Sequence, residues 1–133
     1  MMSRKGWKGD IVLANRDVVA SWMKRYVHAW STSERSDIEA LFTSGAEYHE
    51  LPYETHWIGR DEIIEGRQSR DGWQKNGWTF AGEILMITGD TAAVRGLGTY
   101  TEFGAFDNLW TLTFAPDGRV KVFRMWNNQA ETE

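Results

Sequence analysis

The chain has no cysteine among its 133 residues. That excludes a disulfide framework, a thiolate nucleophile and cysteine-ligated zinc, and it fits a reducing compartment. Proline is scarce, with two residues, and no Pro-rich or low-complexity tract divides the sequence. A single domain over residues 1–133 is therefore expected, with the polar residues 1–10 flexible. No apolar run approaches the roughly 20 residues of a membrane span. The basic N-terminal residues are followed only by "IVLA", too short for a signal-peptide core, so a cytoplasmic location is the expectation. Basic charge is not in excess either: the formal net charge is −4. The one local cluster is Arg4, Lys5 and Lys8, so nucleic acid is not an expected partner.

Aromatic residues, in contrast, are abundant: eight Trp, six Phe and four Tyr. Rings in this number can fill a core or line a concave cavity for a flat apolar ligand. Trp22, Tyr26 and Trp30 recur every four residues in "NRDVVASWMKRYVHAWSTSERSD", a helical period. Asn15 or Asp17 can cap that helix. Ser36 or Asp37 is expected to cap a short second helix carrying Ile38, Leu41 and Phe42. "GAEYHEL" has strand character ended by Pro52, "HWIG" reads as a short strand, and "GRDEIIEGRQSRDGW" reads as a third helix. Asp61 and Glu62 suit its N-terminal end, and Arg67 and Arg70 its C-terminal end. From Trp78 onward the pattern is strands, with turn signals at "TGDT" and "PDG". Helices gather in the first half and antiparallel strands in the second, which is α+β: a curved sheet with helices on one face.

The stretch "AEYHELPYETH" holds two of the three histidines. It does not have zinc-protease spacing, because Tyr53 stands four residues after His49 and Pro52 would break a helix. His49 and His56 could meet across a bend, but no metal is expected without a ligand spacing. Read as a strand, the stretch puts Tyr48 and Glu50 on one face and Glu47 and His49 on the other. If Tyr48 packs inward, Glu50 follows. An ionised carboxylate is costly inside an aromatic cavity, which is how a general base is tuned toward neutral pH. The alternative is a solvated carboxylate at the rim. With a four-residue turn at "APDG", Trp110 is expected opposite Phe123. The inward set is then Asn108, Trp110, Leu112 and Phe114, with Phe123, Met125 and Asn127 facing them. Thr111, Thr113, Val122, Arg124 and Trp126 fall outside, a surface that suits a two-fold dimer unless a helix or tail covers it. "RGLGTY" follows no strand-to-helix turn and is rejected as a nucleotide site; its Gly96 and Gly98 are expected to let the sheet bend.

The order of these elements resembles the NTF2-like superfamily in its SnoaL-like branch. The carrying residues are "RYVHAW…DIEALFTSGAEYHE", "WIGRDEII", "GDTAAVRG" and "NLWTLTFAPDGRVKVFRMW", spanning about residues 12 to 128. The resemblance implies a cone-shaped α+β barrel with a pocket between the curved sheet and the first helices, and dimerisation through the outer sheet face. No cofactor is expected. The resemblance also implies roles by analogy with ketosteroid isomerases in that superfamily: Tyr26 as oxyanion donor and Glu50 as proton-shuttling base. Glu50 is one methylene longer than the isomerases' Asp. The isomerases' protonated Asp falls at Trp110, whose indole is a bulkier and less acidic donor; Trp110 reads equally as core packing. Arg95, Leu97 and Thr99 would face inward by the resemblance, whereas the size of Val94 and Tyr100 argues for Arg95 outside, the preferred reading. The expectation is a small-molecule pocket protein for an apolar or partly polar ligand. Tyr26 and Glu50 are candidates for proton transfer. Trp22, Trp30, Tyr48, Asn108, Trp110, Leu112, Phe123, Met125 and Asn127 are candidate ligand contacts. Non-catalytic binding is the alternative, and a scaffold with a filled core requires no cavity at all.

Overall fold

The computed structural model describes residues 14–73 and 77–129. The expectation of a flexible segment 1–10 lies outside these residues. Three helices, α1 (Arg16–Thr32), α2 (Arg35–Glu39) and α3 (Arg60–Gln68), alternate with and then give way to strands. These are β1 (Phe42–Leu51), β2 (Thr55–Ile58), β3 (Trp78–Thr88), β4 (Thr91–Tyr100), β5 (Gly104–Phe114) and β6 (Val120–Gln129). They form one mixed sheet in the order β2-β1-β6-β5-β4-β3, with β1 and β6 parallel and the other pairs antiparallel. The architecture is the expected α+β one, and the sheet is not closed: β2 and β3 are its edges. No helix among the described residues is long and apolar enough to cross a membrane.

Helix α1 starts where the Asn15 side chain accepts a hydrogen bond from the Val18 backbone N–H at 2.9 Å. Such a cap satisfies an amide that has no partner within the helix. Its buried residues Val19, Trp22, Tyr26, Ala29 and Trp30 form one stripe laid on the sheet. Helix α2 begins earlier than expected, after Glu34. Asp37 does not cap it, because its carboxylate is engaged by the Thr32 hydroxyl at 2.7 Å. Leu41 and Phe42 leave the helix: the Leu41 carbonyl accepts both the Trp22 indole N–H and the Val120 amide, which starts Phe42 on β1. In α3, Asp61 and Glu62 occupy the first turn and Arg67 the last. Arg70 lies beyond its C-terminal end.

The β5–β6 register differs from the expected one. Trp110 stands opposite Met125, and Phe123 opposite Leu112, because an irregularity between Thr113 and Phe114 absorbs the offset. Two-residue parity survives this shift: Asn108, Trp110, Leu112, Phe114, Phe123 and Met125 are buried, while Arg124 and Trp126 are exposed. Arg95, Leu97 and Thr99 are exposed, and Arg95 lies beside Asp107 at 3.4 Å. The size argument therefore holds over the inward placement implied by the resemblance. Gly96 has a reason other than bending. A Cβ there would stand 2.5 Å from two atoms of the Phe80 ring, which lies across the strand.

Candidate functional site

One end of the cone is solid. Trp22 is fully buried against Phe42, Phe114 and Phe123, with ring centroids 5.8 to 6.4 Å apart. Trp22, Leu112 and Phe123, expected as ligand contacts, are part of this packing and do not line a cavity. Their inward parity placed them on the correct face but could not say at which depth the face stops being filled.

Toward the other end a cavity of about 540 Å³ opens. Helix α1 supplies Tyr26 and Trp30, and β1 supplies Tyr48 and Glu50. The segment after α3 supplies Arg70 and Trp73. Trp78, Phe80, Gly98 and Tyr100 come from β3 and β4. Phe106, Asn108, Trp110, Met125 and Asn127 come from β5 and β6. Tyr53, Thr55 and Phe103 complete the lining. Six of the nine candidate ligand contacts are thus brought together here, along with both candidate catalytic residues. The wall is built from overlapping rings: Phe80 stacks on Trp110 at 4.9 Å, and Tyr26 meets Trp110 at 4.7 Å. Asn108 donates to the side-chain oxygen of Asn127 across β5 and β6, a polar pair on an otherwise ring-rich surface.

Glu50 is 4% exposed and faces the cavity. It is not an isolated acid. Arg70 donates to one of its carboxylate oxygens at 2.6 Å and to the Thr55 hydroxyl at 3.0 Å. The same guanidinium lies 4.7 Å from the ring centroids of both Trp57 and Trp73. A buried carboxylate without a counter-charge would be costly, and this pairing compensates it. The guanidinium in turn is held by a hydroxyl and two ring faces, so the ion pair is fixed in one geometry.

Tyr26 shares the cavity with Glu50, and both act on their neighbours. The Tyr48 phenol is pushed well above its ordinary value, first by burial and then by Tyr26 and Glu50; Arg67 and Arg70 pull it the other way. The Tyr100 phenol is pushed up to about 12, chiefly by burial and then by Tyr26. The Trp30 indole N–H donates to its hydroxyl at 3.3 Å and opposes the rise. Both phenols therefore stay protonated donors through the neutral range. Trp110, at the position the resemblance gives to a protonated Asp, is buried with its indole nitrogen unpartnered.

Sequence reasoning missed Arg67 and Arg70 as site residues. They were legible as a basic pair suited to a helix C-terminus, and nothing local indicates that both turn inward. Trp78, Phe80 and Tyr100 were more accessible. They alternate along β3 and β4 with the period of a strand whose ring-bearing face is covered. The histidines do meet: His49 Nδ1 and His56 Nδ1 are 2.7 Å apart across β1 and β2, and His49 Nε2 lies 2.9 Å from Glu47. Among the described residues no three His, Asp or Glu side chains converge as a metal site would require.

No family model matches the chain, and no curated protein matches it. Solved structures do. A candidate ketosteroid isomerase from Kribbella flavida matches with a TM-score of 0.67 and 16% identity, covering 88% of this chain and 82% of its own. An NTF2-like protein of unknown function from Burkholderia xenovorans matches with a TM-score of 0.69 and 11% identity, covering 88% of each chain. A candidate isomerase of the SnoaL-like family from Agrobacterium tumefaciens matches with a TM-score of 0.68 and 12% identity, covering 84% of this chain and 98% of its own. Likeness at such identities establishes the fold and leaves the chemistry to be argued from the site.

Proposed function

We propose that this chain, whose fold is that of NTF2-like and SnoaL-like proteins, binds a small, flat, partly polar molecule in its aromatic cavity. The observation that supports this is the ring-lined hollow of about 540 Å³. It is lined by a few polar groups, Glu50, Arg70, Asn108 and Asn127, among many rings. Small-molecule sites combine apolar walls with a few placed polar groups in this way. Native mass spectrometry of the purified protein tests it: a co-purified molecule, or uptake of an added flat aromatic, is the expected result. Absence of both would remove the proposal.

A second reading, proton transfer next to a carbonyl, draws support from Tyr26 and Glu50 lining one cavity. Glu50 would carry the proton and Tyr26 would hold the developing oxyanion. The Arg70 pair works against it, since the guanidinium already occupies one oxygen of the carboxylate. Glu50→Gln separates the readings. Wild type would exchange an α-proton of a bound aryl ketone for deuterium and the variant would not. Equal exchange in both would move the role elsewhere.

A second copy of the chain is the proposed occupant of the outer sheet face. Leu51, Trp126 and Leu109 stand in one row there, each 37 to 40% exposed. Arg95 and Asp107 beside them supply both charge signs, which a two-fold axis can pair crosswise. Sedimentation velocity should show a dimer that Trp126→Arg dissociates. A monomeric wild type would contradict this.

A further inference from the structure

Among the described residues, every buried side-chain polar atom without a hydrogen-bond partner is a nitrogen donor. They are Nε, Nη1 and Nη2 of Arg67 and the indole nitrogens of Trp78 and Trp110. Buried polar groups in folded proteins are ordinarily paired, so orphans of a single kind indicate what the site lacks. Here it lacks acceptors. Trp78 and Trp110 are cavity walls. Arg67 stands directly behind two more: its guanidinium carbon is 4.1 Å from the Trp30 ring centroid and 4.6 Å from that of Tyr26.

The charges point the same way. The cavity lining holds one carboxylate, Glu50, and one guanidinium, Arg70, and these two neutralise each other. Arg67 is 1% exposed and forms no salt bridge among the described residues. Counting Glu50 as −1 and Arg67 and Arg70 as +1 each leaves a net +1 around the hollow. Ring faces recover part of what a buried cation loses, but they supply no hydrogen-bond acceptor for its N–H groups. Water is a poor substitute, since each of these nitrogens is closed to solvent.

We infer that the ligand of this cavity is a monoanion, a carboxylate carried on a flat aromatic body. The inference rests on the cavity-binding reading above and narrows its substrate class. The carboxylate compensates the surplus positive charge from within the cavity, across the Tyr26 and Trp30 rings that separate it from Arg67. The aromatic body lies in the hollow against the wall formed by Trp78, Phe80 and Trp110. A dianion such as a phosphate monoester would overshoot the single surplus charge.

Isothermal titration calorimetry of the full chain with 2-naphthoate and the near-isosteric 2-naphthamide tests this. The acid is expected to bind at least about tenfold more tightly, because the two probes differ in charge and hardly in shape. In Arg67→Met the acid-to-amide ratio should fall toward one. If that variant does not fold, the wild-type ratio decides alone. Amide binding as tight as the acid overturns the anion inference and leaves the cavity reading standing. Binding of neither overturns both.

Discussion

The two ends of the cone use the same residue types to opposite ends. Around Trp22 the rings interlock in a buried cluster, and its indole N–H is bonded to the Leu41 carbonyl at 2.9 Å. Around Trp78 and Trp110 the rings stand as walls, their indole nitrogens are unpartnered, and a hollow remains. The difference lies in what closes each end. At the solid end the α1 stripe, Leu41 and Phe42 reach across the sheet and fill it. At the hollow end the segment after α3 presents the Arg70 guanidinium to the cavity, and Arg67 lies behind the Tyr26 and Trp30 rings. A charged head does not interlock as apolar side chains do, and the hollow lies beside Arg70. Aromatic content alone is therefore a poor guide to whether a region is core or cavity.

The contrast can be broken most directly by truncating a ring at each end. Trp22→Ala should cost about 3–5 kcal/mol, the range for large-to-small changes in a filled core. Trp78→Ala should cost about 1–2 kcal/mol, since the removed ring borders space already empty. Urea unfolding midpoints measure both, and equal losses would mean that the hollow end is packed. Gly96→Ala is a smaller test of how rigid the walls are. Its Cβ would push the Phe80 ring off Trp110, with an expected cost of about 1–3 kcal/mol and weakened aromatic binding. Unchanged values in both would show a wall that yields freely.

The mildest perturbation is alkaline pH. Tyr100 and Tyr48 have folded-state values above the roughly 10 of an unfolded tyrosine. Their contribution to stability is complete below pH of about 10 and is lost as pH rises toward the folded values. Phenolate absorbance should therefore show the Tyr100 step at about 12, with Tyr48 ionising only as the chain unfolds. A titration in which Tyr48 and Tyr100 ionise near 10 in the folded chain would contradict the closed surroundings of these two.

Local signals made much of the fold readable. Asn15 caps α1, the turns fall at "TGDT" and "PDG", and the alternation in β5 and β6 survives a register shift. Alternation is robust because a strand with one covered face must put every second side chain on it. Depth along that face is not encoded by alternation. Leu112 and Phe123 share their parity with Trp110 and Met125, yet only the latter pair border the cavity. The helical reach of Leu41 and Phe42 failed for a related reason. Propensity favoured a longer α2, and the bonds from Trp22 and Val120 to the Leu41 carbonyl drew the chain into β1.

Thus the sequence by itself determined the α+β order, the inward face of the sheet and the shared face of Tyr48 and Glu50. Each depends on periodicity, caps and turns that act within a few residues. Only the tertiary structure decided that Glu50 meets Arg70, that Arg67 is buried without an acid, and that one end of the cone is hollow. Those contacts join segments twenty or more residues apart, and their strength depends on burial. A charge and its partner acquire their worth only once folding has removed the water between them.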